Sequence, residues 1–217
     1  MSVVREEFGP TLPDLLGSRF GVPARKIWIG LAVLAVVAVA IAAWVATRPK
    51  AGQTPVIVRK PVAFTLIHTA GLHRVRPQGR EQLRLESRSG PLQSFAVSPL
   101  RIGSYKGDVS AELTLMSARM IDEMGSQYRG FLWRGDGRVN INRQPGYQIL
   151  FQTEMNGRTV YGKRVLLVVG PDPPPHTGAD ITILAARSTA VPHVDAVAAN
   201  GALKTPYRSF RFGTKRP

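Results

Sequence analysis

Residues 27–47, IWIGLAVLAVVAVAIAAWVAT, are 21 consecutive positions without a charge, and nothing else in the chain narrows its structural choices so far. As an α-helix rising about 1.5 Å per residue, the run is about 31 Å long, matching the hydrocarbon thickness of a bilayer. Ten of its residues are Ile, Leu or Val and seven are Ala. On an insertion scale the aliphatics alone favour the membrane by roughly 3–6 kcal/mol. Trp28 and Trp44 stand near the two ends, where indole rings prefer the interface, and Arg25, Lys26, Arg48 and Lys50 close the segment in the headgroup region. The run predicts one transmembrane helix, with membrane lipid as its partner. It carries no polar group of the kind that serves transport or proton relay. A cleaved signal peptide is the alternative, served by the small residues of 38–46, but such peptides have a shorter apolar core and usually a shorter leader.

Orientation is less constrained. Four basic residues precede the run and four follow it closely (Arg48, Lys50, Arg59 and Lys60), so the positive-inside count is a tie. Arg25 and Lys26 abut the helix directly, which favours a cytoplasmic N-terminus and an extracytoplasmic C-terminal domain.

The organisation that follows is a disordered tail (1–26), the transmembrane helix (27–47), a linker (48–58) and one globular domain (59–213). Pro10, Pro13, Pro23 and three glycines argue against packing in the tail. The chain of 217 residues has 29 Lys/Arg against 14 Asp/Glu; the first 50 residues hold six and three of these, leaving 23 and 11 in the rest. The excess of positive charge therefore belongs to the domain, whose field attracts polyanions such as lipid headgroups, envelope polymers or nucleic acid. With no cysteine, a lipoprotein anchor, a disulfide framework and a thiolate metal site are excluded.

Within the domain, alternation predicts strands at 62–68, 82–87 and 94–97. DVSAELTLMSARMIDEMG then reads as a helix over 108–124. Val109, Leu113, Met116, Met120 and Met124 form its apolar stripe, Asp108 its N-cap and Gly125 its stop. FLWR (131–134) and RVNINR (138–143) flank Gly135-Asp136-Gly137, which reads as a hairpin turn. Residues 146–154 and 158–169 flank Asn156-Gly157, the strongest short hairpin dipeptide. A proline-rich loop leads to a strand at 180–187, and Pro192 opens a short helix ending at Asn200-Gly201. Helices segregated from a run of antiparallel strands define the α+β class.

These residues resemble the Mog1/PsbP-like fold family, in particular its small exported bacterial members. The resemblance runs over about residues 60–213. It rests on the opening strand AFTLIH, the helix 108–124, the hairpin GYQILFQTE–NG–RTVYGKRVLLVV, and the close ITILAARS, short helix, Tyr207-Arg208-Ser209-Phe210-Arg211-Phe212. It implies an antiparallel sheet with helices packed on it, an α/β/α sandwich, and a non-enzymatic binding or assembly-factor role without shared catalytic residues.

Catalytic chemistry finds no pattern of its own. His68, His73, His176 and His193 lack metal-ligand spacing, the serines lack a nucleophile elbow, and the glycines suit turns rather than a phosphate cradle. No cofactor is expected. The candidate polyanion-binding residues are Arg74, Arg76, Arg84, Arg143, Arg158, Lys163 and Arg164. Solvated charges guarding strand edges are the plain alternative for them. No aromatic-basic-aromatic platform marks a nucleic-acid surface, so an anionic envelope polymer or a protein is the expected partner. Two rival readings stand beside it. One is a cytoplasmic-facing tethered domain that binds nucleic acid or regulates a protein; the other is a hydrolase whose site would gather His193, Asp195 and a serine.

Overall fold

Strand β1 (Gln53–Val58) begins a domain built almost wholly from antiparallel ladders. The computed structural model describes residues 29, 32–40, 52–103, 109–169 and 176–215. The chain divides into two compact units, 1–50 and 51–217. In the first, residues 32–40 are helical, and Ile29, Val33, Leu34, Val36, Val37 and Val39 expose half or more of their surface. The expected transmembrane helix lies partly outside the described residues, and among those described no helix is long and apolar enough to cross a membrane. Trp28, Trp44, Arg25, Lys26, Arg48 and Lys50 also lie outside them.

The second unit contains two sheets. The smaller places β2 (Phe64–Thr69) between β1 and the short closing strand β10 (Arg211–Phe212). The larger has seven strands in the order β3-β4-β5-β9-β8-β7-β6, all antiparallel. Its strands are β3 (Leu72–Val75), β4 (Leu83–Ser87), β5 (Gln93–Ile102), β6 (Leu132–Ile141), β7 (Gln144–Met155), β8 (Arg158–Val168) and β9 (His176–Ala186). Between β5 and β6 runs the long helix α1 (Val109–Gln127), and before β10 lies the short helix α2 (Lys204–Ser209).

Period-two alternation explains the layers. On β8, Tyr161, Lys163, Val165 and Leu167 turn to one face, while Val160, Arg164, Leu166 and Val168 turn to the other. The first face meets the small sheet. Val56, Val58, Phe64 and Leu66 pack there against Leu83, Leu85, Phe95, Val97, Ile181 and Ile183, making the main core. Phe210 plugs this core from the α2–β10 corner and stacks on Phe64 at 5.2 Å between ring centroids. The second face carries α1. Leu113 and Met116 pack on Leu100, Ile102 and Leu166, and Met124 packs on Ile149, Phe151 and Leu184, with Met120 touching both groups. The methionine stripe is therefore core packing. The fold is α+β, as expected, although the layer opposite α1 is a sheet with a short helix rather than helices alone.

Several local expectations are corrected. The segment read as a linker (48–58) supplies β1 from Gln53 onward, because Val56 and Val58 find a buried face. Pro55 is tolerated there because β1 is an edge strand. Gly135-Asp136-Gly137 is not a hairpin turn: β6 runs straight through it, with a bulge between Trp133 and Gly135. Gly135 takes φ 150°, a conformation that side-chain-bearing residues avoid. The chain turns instead at Asn142 and Arg143, both left-handed. Helix α1 continues past Gly125 to Gln127. The helix expected after Pro192 is a single 3-10 turn at Val194–Ala196, and the true helix, α2, comes later. The Asn156-Gly157 hairpin forms as expected, both residues left-handed.

Candidate functional site

Helix α2 is short but firmly pinned. Pro206 occupies its first turn, where a missing N–H costs nothing. Ser209 Oγ accepts a hydrogen bond from the Ile67 backbone N at 2.8 Å and lies 2.7 Å from the Thr205 carbonyl oxygen. Asn142 Nδ2 donates to the carbonyl oxygens of Arg208 and Phe210 at 2.6 and 2.7 Å. These bonds tie α2 to β2 on one side and to the β6–β7 turn on the other. Ser209 is thus a structural fastener.

Against the small sheet, α2 leaves an open cleft of about 370 Å³ lined by Gln53, Ile67, Lys204, Thr205, Arg208, Ser209 and Arg211. Lys204 and Arg208 are four residues apart on one helix face, and Arg211 follows on β10. No carboxylate lines the cleft, and among the described residues none of its three cations has an ion-pair partner. The guanidinium groups of Arg208 and Arg211 are exposed forks suited to an oxyanion. Ile67 supplies an apolar wall, and Gln53 an amide with both donor and acceptor capacity.

The basic residues singled out from sequence are dispersed. Arg74 and Arg76 are exposed at the β3 edge of the large sheet. Arg143 and Arg158 sit at opposite ends of β7. Arg84 is held by Glu81 at 2.8 Å and Glu86 at 2.7 Å. Arg164 forms a forked ion pair with Asp180, its closest contact 2.6 Å, beneath α1. Burial opposes the Arg164 charge, but hydrogen bonding and attraction from Asp180 outweigh it and raise the guanidinium pKa.

Lys163, one residue away, points to the opposite face and is only 8% exposed. Its Nζ lies 5.3 Å from the centroid of the Tyr207 ring. Burial lowers its pKa, with Asp195 pulling the other way, and burial raises that of Tyr207. Between its lowered folded pKa and the ordinary lysine value of 10.5, the unfolded chain holds the extra proton, so stability rises with pH across that window. Lys163→Met is expected to raise stability at neutral pH by on the order of 1 kcal/mol and to flatten this rise. Urea midpoints measured at a series of pH values check both effects.

The histidines do not converge. His68 lies on β2 with Nδ1 3.0 Å from the Thr69 carbonyl, and His73 lies on β3. His193 approaches Asp195 at 3.7 Å, but both are largely exposed, and the Ser188 hydroxyl accepts the Val191 N–H instead of joining them. Among the described residues no group of three or more His, Asp or Glu is arranged to hold a metal.

No family model matches the chain, and no curated protein matches it. Solved structures do. LpqN of Mycobacterium tuberculosis, described as involved in cell envelope biogenesis, superposes with a TM-score of 0.51 at 11% identity, over 74% of this chain and 90% of its own. Cyanobacterial PsbP (CyanoP) from Synechocystis sp. PCC 6803 gives a TM-score of 0.51 at 11% identity, over 77% of this chain and 96% of its own. At such identities the likeness speaks for the fold alone, and the domain that carries the basic cleft has the Mog1/PsbP-like fold.

Proposed function

We propose that this chain is a single-pass membrane-tethered, extracytoplasmic, non-enzymatic binding domain that captures an anionic group in the α2 cleft. The observation that carries the proposal is the cleft itself: Lys204, Arg208 and Arg211 line one opening with no acid among them. A field of this sign without a neutralising partner serves an anionic ligand better than it serves stability. The tether reading draws support from Ile29, Val33, Leu34, Val36, Val37 and Val39, an apolar helical surface left exposed, which in water is costly and in lipid is not.

The test uses the full-length chain in neutral detergent, titrated with inorganic pyrophosphate and followed by calorimetry. Saturable binding that weakens with salt, and that falls about tenfold or more in Arg208→Gln/Arg211→Gln, is expected. Wild-type protein that takes up no pyrophosphate sinks the proposal. A phosphatase fused to the C-terminus is expected to be active in intact cells, and an inactive but expressed fusion overturns the orientation.

A further inference from the structure

We infer that the group held by the cleft is the phosphate of a lipid headgroup in the bilayer that anchors the chain, rather than a stretch of polymer. The inference rests on the anion-capture reading above and names the ligand for the same site. Three features separate a headgroup from a polyanion.

The first is extent. A polymer with evenly spaced charges is gripped by a stripe of cations, and among the described residues the basic ones singled out from sequence form no stripe with the cleft. Arg84 and Arg164 are neutralised by Glu81, Glu86 and Asp180. Lys163 is buried, and Arg143 and Arg158 lie at opposite ends of a twelve-residue strand. A cleft of about 370 Å³ instead suits one phosphorylated headgroup.

The second is lining chemistry. Two arginine forks and a lysine meet phosphate oxygens, the Gln53 amide and Thr205 hydroxyl suit glycerol oxygens, and the Ile67 wall suits the first carbons of a lipid. A polymer that is charged and polar throughout has no use for the apolar wall.

The third is reach. Gln53, a wall of the cleft, is six residues beyond Thr47, the last residue of the apolar run. A run inserted in a bilayer joins the domain to lipid through a short segment, and such a tether multiplies the effective concentration of headgroups around the domain.

The test again uses the full-length chain in neutral detergent. The probes are dihexanoyl phosphatidic acid, dihexanoyl phosphatidylcholine as a zwitterionic control, and long-chain polyphosphate. Amide NMR shifts report the site and circular dichroism reports the fold. Phosphatidic acid is expected to shift Gln53, Ile67 and Arg211 saturably, with phosphatidylcholine about tenfold weaker. Arg208→Gln/Arg211→Gln is expected to lose this response, whereas Arg143→Gln/Arg158→Gln, equal in charge lost, keeps it within about twofold.

Polyphosphate binding at these amides without a response to phosphatidic acid leaves anion capture standing and overturns the lipid inference. Equal losses in the two double variants overturn the inference too, by showing an unlocalised charge effect. No response to either anion removes the anion-capture reading itself. Lysine replacements at the same sites, Arg208→Lys/Arg211→Lys, keep the charge but not the forks; retained folding with weakened phosphatidic acid binding is expected, and full retention argues against a forked phosphate grip.

Discussion

Asp180→Ala is expected to lower the free energy of unfolding by about 3–4 kcal/mol, more than a partnered surface charge is worth. The Arg164–Asp180 pair lies on the α1 side of the large sheet, with only 20% and 11% of the two side chains exposed. It stands between two apolar groups, one around Leu100, Ile102 and Leu166 and the other around Phe151, Val160 and Leu184. Removing the carboxylate strands a guanidinium that cannot shed its proton, and burial supplies no water to replace the lost partner. The companion replacement Arg164→Met with Asp180→Leu removes both charges and joins the two apolar groups, and is expected to fall within about 1 kcal/mol of wild type. Urea unfolding of the three proteins decides the matter. A single Asp180→Ala loss below about 1 kcal/mol would mean that solvent reaches the guanidinium readily.

The second large effect concerns Phe151 and Gly162, directly opposed across the β7–β8 ladder. Phe151 is fully buried, with Tyr128 and Phe131 ring centroids 5.5 and 5.7 Å away. A Cβ placed on Gly162 would fall 2.1 Å from Phe151 Cζ, so the ring occupies the space of the missing side chain. Phe151→Ala is expected to cost about 3–5 kcal/mol through the cavity it leaves. Gly162→Ala is expected to cost about 1–3 kcal/mol through overpacking. Combined, the new methyl group enters the vacated space, and the double variant is expected to lose at least about 1 kcal/mol less than the two costs added. Strict additivity in thermal or urea unfolding would refute the interlock.

How much of this was legible in the sequence depended on the range of the signal. The β7–β8 hairpin was readable because Asn156-Gly157 matches a turn in which both residues are left-handed. The β6–β7 turn was not, because Asn142-Arg143 performs the same task without glycine, while nearby Gly135 imitated a turn and made a bulge. Helix α1 was legible from its stripe, since Leu113, Met120 and Met124 do face the sheet. Strand β1 was hidden by its length and by Pro55, and only its partner β2 makes Val56 and Val58 inward-facing.

The cleft was the least legible part. Its walls come from residue 53, residue 67 and residues 204–211, and no local window joins them. The basic residues of 74–84 and 143–164 cluster in sequence, but alternation and ion pairing scatter them. The spacing of Lys204, Arg208 and Arg211 was the usable clue, but it required a helix in a segment whose aromatic alternation suggested a strand.

The Ser209–Ile67 fastening joins positions 142 residues apart, and that distance sets an order in time. A ribosome delivers the first wall of the cleft and then needs on the order of ten seconds of further synthesis before the last helix exists. Until then β2 has no Phe210 to stack on Phe64 and no β10 beside it, and such long-range closures are slow steps of folding. A chain stalled, or clipped by a protease, anywhere before Lys204 keeps its early strands but has none of the three cations that line the cleft. The cleft is in this way completed by the last-made of its walls, and its formation reports that synthesis has passed Arg211.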